Sequence, residues 1–224
     1  WAGGLPVVGW PLAGLTALGI VGRGAVAISA LLPGWAVVLA DLALPVVMAV
    51  VLVREIIAGR NWRNLPVLGL LMLFLAANAL FHATPQADGA GMRLGLATAV
   101  ILIALIGGRI VPSFTRNWLA QRGATRMPVP FGRADAAVLG LSVLALAFWA
   151  VAPEGRGTAV LSTGAGLANL WRLSRWQGYR CGAESLVWAL HVAYGFVPLG
   201  FLAVALAAVG QAPMTAALHL WLAG

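Results

Sequence analysis

The sequence contains no lysine, a single cysteine, six acidic residues and three histidines among its 224 residues. The lone cysteine, Cys181, excludes an internal disulfide and any metal or iron–sulfur site that needs several thiolates. No phosphate-binding glycine loop, zinc-protease helix or serine triad is present. The chain also lacks the basic start, short apolar core and cleavage site of a signal peptide. The usual motifs therefore assign no catalytic residue.

What the sequence does contain is mostly apolar. Hydrophobic residues make up 62% of it and charged residues only 9%, and the mean hydropathy is +0.95. No soluble domain of this size needs so much apolar surface, whereas an integral membrane protein does. The net charge of +8 comes entirely from arginine. In a protein that contacts the lipid bilayer such an excess normally reports loop orientation, so we expect no nucleic-acid partner.

Long apolar runs, separated by basic or turn-rich segments, predict an all-α polytopic transmembrane bundle that takes residues 1–224 as one domain. Apolar residues surround every face of the runs, which fits helices rather than an alternating β-pattern. We predict seven full spans and a partial eighth. They cover approximately residues 9–31, 36–53, 65–84, 92–110, 135–152, 157–171, 185–209 and a run that begins after Pro213.

The two ends of the chain are unusual for a complete membrane protein. It starts abruptly at Trp1, and the run after Pro213 holds about 11 residues when a span needs ~20. We therefore expect an internal fragment of a longer protein, or a last run that needs a partner.

The arginines are distributed unevenly over the predicted loops. Eleven of the fourteen follow spans two, four and six, whereas only Arg93 and Arg156 lie on the opposite side. The positive-inside rule places the arginine-rich loops and the start of span one in the cytoplasm. The pattern also supports span six, which is short and rich in small polar residues. Without that span the third arginine cluster would change sides.

The most basic segment opens at a break in span four. Pro112 lacks a donor N–H and disfavours a helical residue before it, so we expect the helix to kink or end there. Arg109 and Arg116 flank the proline, and Trp118 is typical of a membrane interface. In chemical terms the segment is a cytoplasmic loop that fixes orientation.

Ionisable residues inside predicted spans are candidates for function because they are costly in a bilayer. Arg23 in span one and Asp41 in span two differ in depth by only ~5 Å. We expect them to form an ion pair across the first hairpin. Such a pair fixes helix packing, or it lines a path for a small solute.

The three histidines all lie in or at predicted spans. His82 and His219 sit near the outer ends of spans three and eight, with Asn78 and Thr215 respectively one turn away. His191 lies near the cytoplasmic end of span seven. Each is either a helix–helix hydrogen-bonding group or a metal ligand. His82 and His219 share the outer leaflet, so we expect them to form one cofactor and metal site, whereas His191 would need another.

Three segments resemble signatures of the NnrS family. The first is residues 108–119, which read GRIVPSFTRNWL. The second is residues 60–66, RNWRNLP, and the third combines residues 170–176, LWRLSRW, with residues 186–194, LVWALHVAY. Their order and spacing are those of the family, and the resemblance covers essentially the whole chain.

The resemblance implies a polytopic protein of the bacterial inner membrane that carries haem and copper. It also implies a role in nitric oxide metabolism and nitrosative stress, with about a dozen spans in the complete protein. The histidine-rich N-terminal spans expected from the family are absent here. His82, His191 and His219 are the family histidines that carry over as candidate ligands. A small-solute transporter and a structural or assembly subunit are the alternatives.

Overall fold

The computed structural model describes residues 8–84 and 89–222, and within these ranges every regular element is helical. This confirms the predicted all-α class. The α-helices are α1 (Trp10–Ala27), α2 (Gly34–Ala58), α3 (Leu65–Ala83), α4 (Ala90–Gln121), α5 (Arg133–Val151), α6 (Arg156–Ser174), α7 (Ser185–Ala208) and α8 (Met214–Leu222). The predicted outer turn at residues 84–89 lies largely outside the described residues.

Six of these helices, α1 to α5 and α7, are long and apolar enough to cross a bilayer. The length and composition of these helices therefore indicate a polytopic membrane protein. Helix α6 has 19 residues but is rich in glycine, serine and threonine, and α8 has nine residues in the described part of the chain. Span six and the partial span eight remain predictions.

Three helices run further than the sequence indicated. The expected loop around Arg109 and Arg116 is wrong, because α4 continues through Pro112 to Gln121. Pro112 cannot donate the helical hydrogen bond to the Gly108 carbonyl, so α4 continues with one backbone hydrogen bond fewer. Helices α2 and α6 likewise include Arg54 and Arg172, which were placed in loops.

The chain forms two compact units, an N-terminal unit of residues 1–98 and a C-terminal unit of residues 99–224, with the boundary inside α4. The single bundle stays a prediction. In the N-terminal unit a Cβ on Gly22 of α1 would lie 2.9 Å from the Ala40 carbonyl oxygen of α2. A Cβ on Gly91 of α4 would lie 2.6 Å from the Phe81 nitrogen of α3. Glycine thus permits close backbone approach, as is common between membrane helices.

In the C-terminal unit α6 and α8 both pack on α7. Gly166 faces α7 so closely that a Cβ there would lie 2.8 Å from the Leu202 side chain, so a glycine is what permits α6 to pack closely on α7. Trp221 anchors α8. Its ring meets those of Trp149 and Phe201 edge to face, with centroids 5.7 and 5.2 Å apart, and its Nε1 donates to the Val197 carbonyl at 3.1 Å.

Candidate functional site

The N-terminal unit contains a polar cluster built by α2 and α3. Asp41 Oδ2 accepts hydrogen bonds from Asn78 Nδ2 at 2.9 Å and from His82 Nε2 at 3.0 Å. Asn78 and His82 are four residues apart, so they share one face of α3 and meet the same carboxylate. An ionised carboxylate can only accept. With Asp41 ionised, a neutral His82 ring donates through Nε2 and retains a lone pair on Nδ1.

This cluster differs from the expected one, because the predicted Arg23–Asp41 ion pair does not form within the described residues. Asp41 bonds to α3 rather than to α1. Asn78 acts on His82 through Asp41, which holds the ring nitrogen. The side chains of His82 and Asp41 are only 15% and 22% exposed, so these hydrogen bonds replace most of the water that a charged carboxylate would otherwise bind.

A cavity of about 640 Å³ lies beside the cluster in the N-terminal unit. Its polar wall is formed by Arg23, Asp41 and Asn78. The rest is apolar, and includes Leu18, Leu44, Met48, Leu71, Phe74 and Phe81. The volume falls in the range of cofactor and small-molecule sites, and an apolar lining with a few polar groups is their usual composition.

The C-terminal unit contains a second polar cluster, around Arg172, that the sequence analysis missed. Arg172 Nε donates to Asp135 Oδ1 at 3.0 Å, and the side chains are 0% and 4% exposed. Arg172 Nη1 donates to the Ala104 carbonyl at 3.1 Å and to the Tyr194 hydroxyl at 3.0 Å. One side chain thereby connects α4, α5, α6 and α7. Within the described residues Nη2 has no hydrogen-bond partner.

The cluster continues from Tyr194 as a chain of hydrogen bonds. The Tyr194 hydroxyl donates to Asn169 Oδ1 at 3.1 Å, and Asn169 Nδ2 donates to Ser142 Oγ at 2.8 Å. At the other end Arg175 Nη1 approaches Asp135 Oδ2 at 3.4 Å. Asp135 therefore faces two guanidinium groups. The sequence offered one indication that Asp135 has a partner. Acidic residues are rare in this chain, and Asp135 lies in the first turn of an otherwise apolar helix.

The signature stretch of residues 108–119 forms one wall of this cluster. It is helical, and its buried residues are Gly108, Val111, Thr115 and Leu119, spaced three or four apart on one face of α4. A Cβ on Gly108 would collide with the Arg172 guanidinium. Val111 packs with Trp176 and Tyr194. The small and apolar residues of the motif are thus explained by packing, since this face of α4 accommodates the side chains of Arg172, Trp176 and Tyr194.

Arg109 and Arg116 lie on the exposed side of α4. Arg116 Nη2 donates to the Pro128 carbonyl at 3.1 Å. Nearby, Gln177 Nε2 donates to the Met127 carbonyl and Arg180 Nη1 to the Arg126 carbonyl, both at 2.8 Å. These side chains fix the segment between α4 and α5, so the basic residues here have a structural role in addition to their charge.

His191 of α7 is enclosed. Its Nδ1 donates to the Val187 carbonyl at 2.9 Å, and its Nε2 lies 3.3 Å from the Thr115 hydroxyl. A Cβ on Gly178 would collide with the imidazole ring. Both ring nitrogens therefore have partners in this structure, and little space remains beside the ring.

His219 of α8 is exposed. Its Nδ1 donates to the Thr215 backbone carbonyl at 2.7 Å, so the backbone of Thr215, and not its hydroxyl, orients the ring. Nε2 keeps its lone pair. Within residues 8–84 and 89–222, His82 Nδ1 and His219 Nε2 have no hydrogen-bond partner while the other ring nitrogen is held, which is the arrangement usual for metal-bound histidine. In the described parts of the chain, no group of three or more His, Cys, Asp and Glu residues is placed to hold a metal ion.

A smaller cavity of about 260 Å³ lies in the C-terminal unit beside Tyr194. Its lining is apolar apart from Tyr194 and the Trp221 ring edge, and it includes Val100, Ile103, Val111 and Phe196. An apolar cavity of this kind excludes water and accepts small uncharged molecules.

Comparison with models of protein families gives a match to the family described as NnrS protein, and the match spans residues 1–224. No curated protein and no solved structure matches the chain.

Proposed function

The chain belongs to the NnrS family, and from this premise we propose that it is a haem- and copper-containing protein of the bacterial inner membrane that acts in nitric oxide metabolism. In this role it protects the cell against nitrosative stress, such as that which accompanies denitrification. The arginine-rich loops and the start of α1 face the cytoplasm, as the positive-inside rule requires. The apolar helices support the membrane assignment.

The observation that carries the cofactor assignment is the His82–Asp41 hydrogen bond, of which only the Asp41 carboxylate lines the large cavity. Imidazole is a common ligand of haem iron and copper. A carboxylate on the other ring nitrogen fixes the tautomer and raises the basicity of the ligating nitrogen. His82 would therefore bind through Nδ1, while Asp41 and Asn78 hold its orientation.

His219 is the second candidate ligand, through Nε2, because the Thr215 carbonyl holds its other nitrogen. That His82 and His219 share one site stays a prediction. Haem or copper, when bound, supplies a redox-active metal that binds nitric oxide. The small apolar cavity beside Tyr194 can accept a small uncharged molecule such as nitric oxide.

The test is an absorption spectrum and a metal analysis of the protein purified from membranes. The unsubstituted protein is expected to show a Soret band and to contain copper. His82→Ala and His219→Ala should each reduce one of these signals. His191→Ala is the matched control, since both its nitrogens have protein partners, and it should keep them. A folded protein without haem and without copper would overturn the proposal.

A small-solute transporter is the second candidate, and the N-terminal cavity favours it. Arg23 and Asp41 line a space of solute size, and Pro45 interrupts the α2 hydrogen bonds one turn from Asp41. Broken helices and charged residues at a cavity are typical of transporters. Metal-free protein that moves a solute across liposome membranes, and loses this activity in Asp41→Asn, would favour this candidate.

A further inference from the structure

Helices α4 and α6 end in the same arrangement of side chains, in which an apolar residue, a tryptophan and an arginine follow one another. The three residues are Phe114, Trp118 and Arg122 on α4, and Leu167, Trp171 and Arg175 on α6. They are four positions apart, so each set follows one face of its helix toward the C-terminal end. In both sets the arginine is the first residue after the helix. We call these sets the two interface stripes.

Each interface stripe combines stacking with exposure. The Arg122 guanidinium carbon lies 3.9 Å from the centre of the Trp118 ring, and the Arg175 guanidinium carbon lies 4.6 Å from that of Trp171. The apolar residues at the other ends, on α4 and α6 respectively, are 48% and 56% exposed. An arginine at a helix C-terminus complements the helix dipole, but that role requires neither the stacked ring nor the exposed apolar side chain.

The interface stripes end at one surface of the C-terminal unit, because the segments that follow the two helices are joined. The Val129 N–H donates to the Arg175 carbonyl at 3.4 Å. Burial raises the pKa of the Cys181 thiol, and Arg180 and Arg122 both act against it, so both cations lie near that thiol. The cations of this basic surface are Arg122, Arg126, Arg175 and Arg180.

The basic surface carries more positive than negative charge. Asp135 is paired with the buried Arg172 at 3.0 Å, and Arg175 approaches the same carboxylate at 3.4 Å. In the described parts of the chain no acidic side chain forms an ion pair with Arg122 or Arg126. Arg122 is also exposed, so its guanidinium can meet an anion from the surroundings of the protein.

An anionic phospholipid matches this distribution of chemistry. Eight residues separate Phe114 from Arg122, or about 12 Å along the helix axis. This length exceeds the headgroup region of one leaflet, about 5–8 Å, and so reaches the acyl chains. Tryptophan is enriched at the level between the two, and arginine binds phosphate through charge-assisted hydrogen bonds. An acidic headgroup adds an attraction to arginine that a zwitterionic headgroup lacks.

We propose that the interface stripes bind anionic phospholipid, with the phosphate on Arg122 beside Trp118 and an acyl chain on Phe114. The inference goes beyond the proposed function, because it depends on insertion in a membrane and not on haem or copper. One arginine near an anionic lipid surface contributes about fivefold in affinity. Arg122 thus gives the C-terminal unit a preference for acidic over zwitterionic lipid.

The test measures lipid binding to full-length protein that is purified in a neutral detergent and stripped of lipid. Phosphatidylglycerol and phosphatidylcholine with the same acyl chains are titrated, and native mass spectrometry gives the affinity for each. The unsubstituted protein should prefer phosphatidylglycerol. Arg122→Gln should weaken phosphatidylglycerol binding about fivefold and leave phosphatidylcholine binding nearly unchanged. Arg122→Lys should keep the preference, since the charge remains.

The matched control is Arg156→Gln, which removes an exposed arginine from the start of α6, at the opposite end of that helix from Arg175. It should keep the affinity for phosphatidylglycerol. Equal losses in Arg156→Gln and Arg122→Gln would overturn the inference, because the effect would then follow net charge alone. Equal weakening of both lipids by Arg122→Gln, or equal affinities of the unsubstituted protein for them, would also overturn it. So would displacement of the lipid by glycerol phosphate, since recognition would then need no acyl chain.

Discussion

Arg172 and Asp135 form a buried ion pair in which Nε lies 3.0 Å from Oδ1 and neither side chain is more than 4% exposed. Burying two charges costs about as much as their attraction returns, so the pair itself adds little net stability. Its value lies in what Arg172 joins, since the same guanidinium also binds the Ala104 carbonyl and the Tyr194 hydroxyl. We conclude that the pair specifies how the helices of the C-terminal unit pack.

Removing the acid is therefore expected to be costly. Asp135→Asn leaves Arg172 without a counter-charge in a buried site, and the free energy of unfolding should fall by about 3–5 kcal/mol. Thermal unfolding in detergent measures the change. Arg133→Gln, an exposed charge at the start of the same helix, should have almost no effect. The double variant Asp135→Asn, Arg172→Met should lose less than the sum of the single changes. Strict additivity would contradict a direct interaction.

Gly108 is predicted to be required for the position of Arg172. Gly108→Ala places a methyl group against the guanidinium, and overpacking of this kind costs about 1–3 kcal/mol. Gly140→Ala in α5 is the control, because nothing lies within 4 Å of its added Cβ. That change should be neutral or should stabilise by up to about 1 kcal/mol. Melting temperatures of the two variants decide the matter, and a Gly108→Ala protein as stable as Gly140→Ala would refute the prediction.

Much of the fold could be predicted because hydrophobic runs and arginine clusters are local signals. The bounds of α3, α5 and α7 agree with the predicted spans to within about two residues, as pattern-based boundaries normally do. The fourth predicted span stopped too early, at residue 110, because Pro112 was expected to kink or end the helix. A membrane helix tolerates an internal proline when its surroundings accommodate the freed backbone groups, and those surroundings are not visible in the sequence.

The candidate site was less predictable because its contacts are non-local. Asp41 and His82 were each recognised as costly polar residues in spans, yet their partnership depends on how α2 packs on α3. Arg172 was assigned to a loop from its neighbouring arginines. Only the structure brings it to Asp135, 37 residues earlier in the chain.

Cys181 is predicted to be an unreactive thiol. It lies in the segment that connects α6 to α7 and is completely buried. Burial raises the pKa of its thiol above the ordinary value, against the opposing charges of Arg180 and Arg122. Because the thiolate is the reactive form, a maleimide should label Cys181 slowly between pH 7 and 9, and rapidly only after unfolding.

The control for Cys181 is Tyr179→Cys in a Cys181→Ser background, since Tyr179 is 76% exposed. Its labelling should be fast and should rise with pH toward an ordinary thiol pKa of roughly 8.5. Equal rates for the two cysteines in folded protein would show that the segment between α6 and α7 opens readily.

The orientation of the chain can be tested at the two ends of α5. This helix has 19 residues, and at 1.5 Å per residue it spans about 28 Å, close to the hydrocarbon thickness of a bilayer. Arg126 precedes it in the arginine-rich segment, and Glu154 follows it in a turn with fewer arginines. Both residues are exposed.

In a Cys181→Ser background, an impermeant maleimide added to intact cells with a permeable outer membrane should label Glu154→Cys and not Arg126→Cys. After the inner membrane is permeabilised, both should react. Labelling of Arg126→Cys alone would reverse the orientation, and labelling of both before permeabilisation would show that α5 does not cross the membrane.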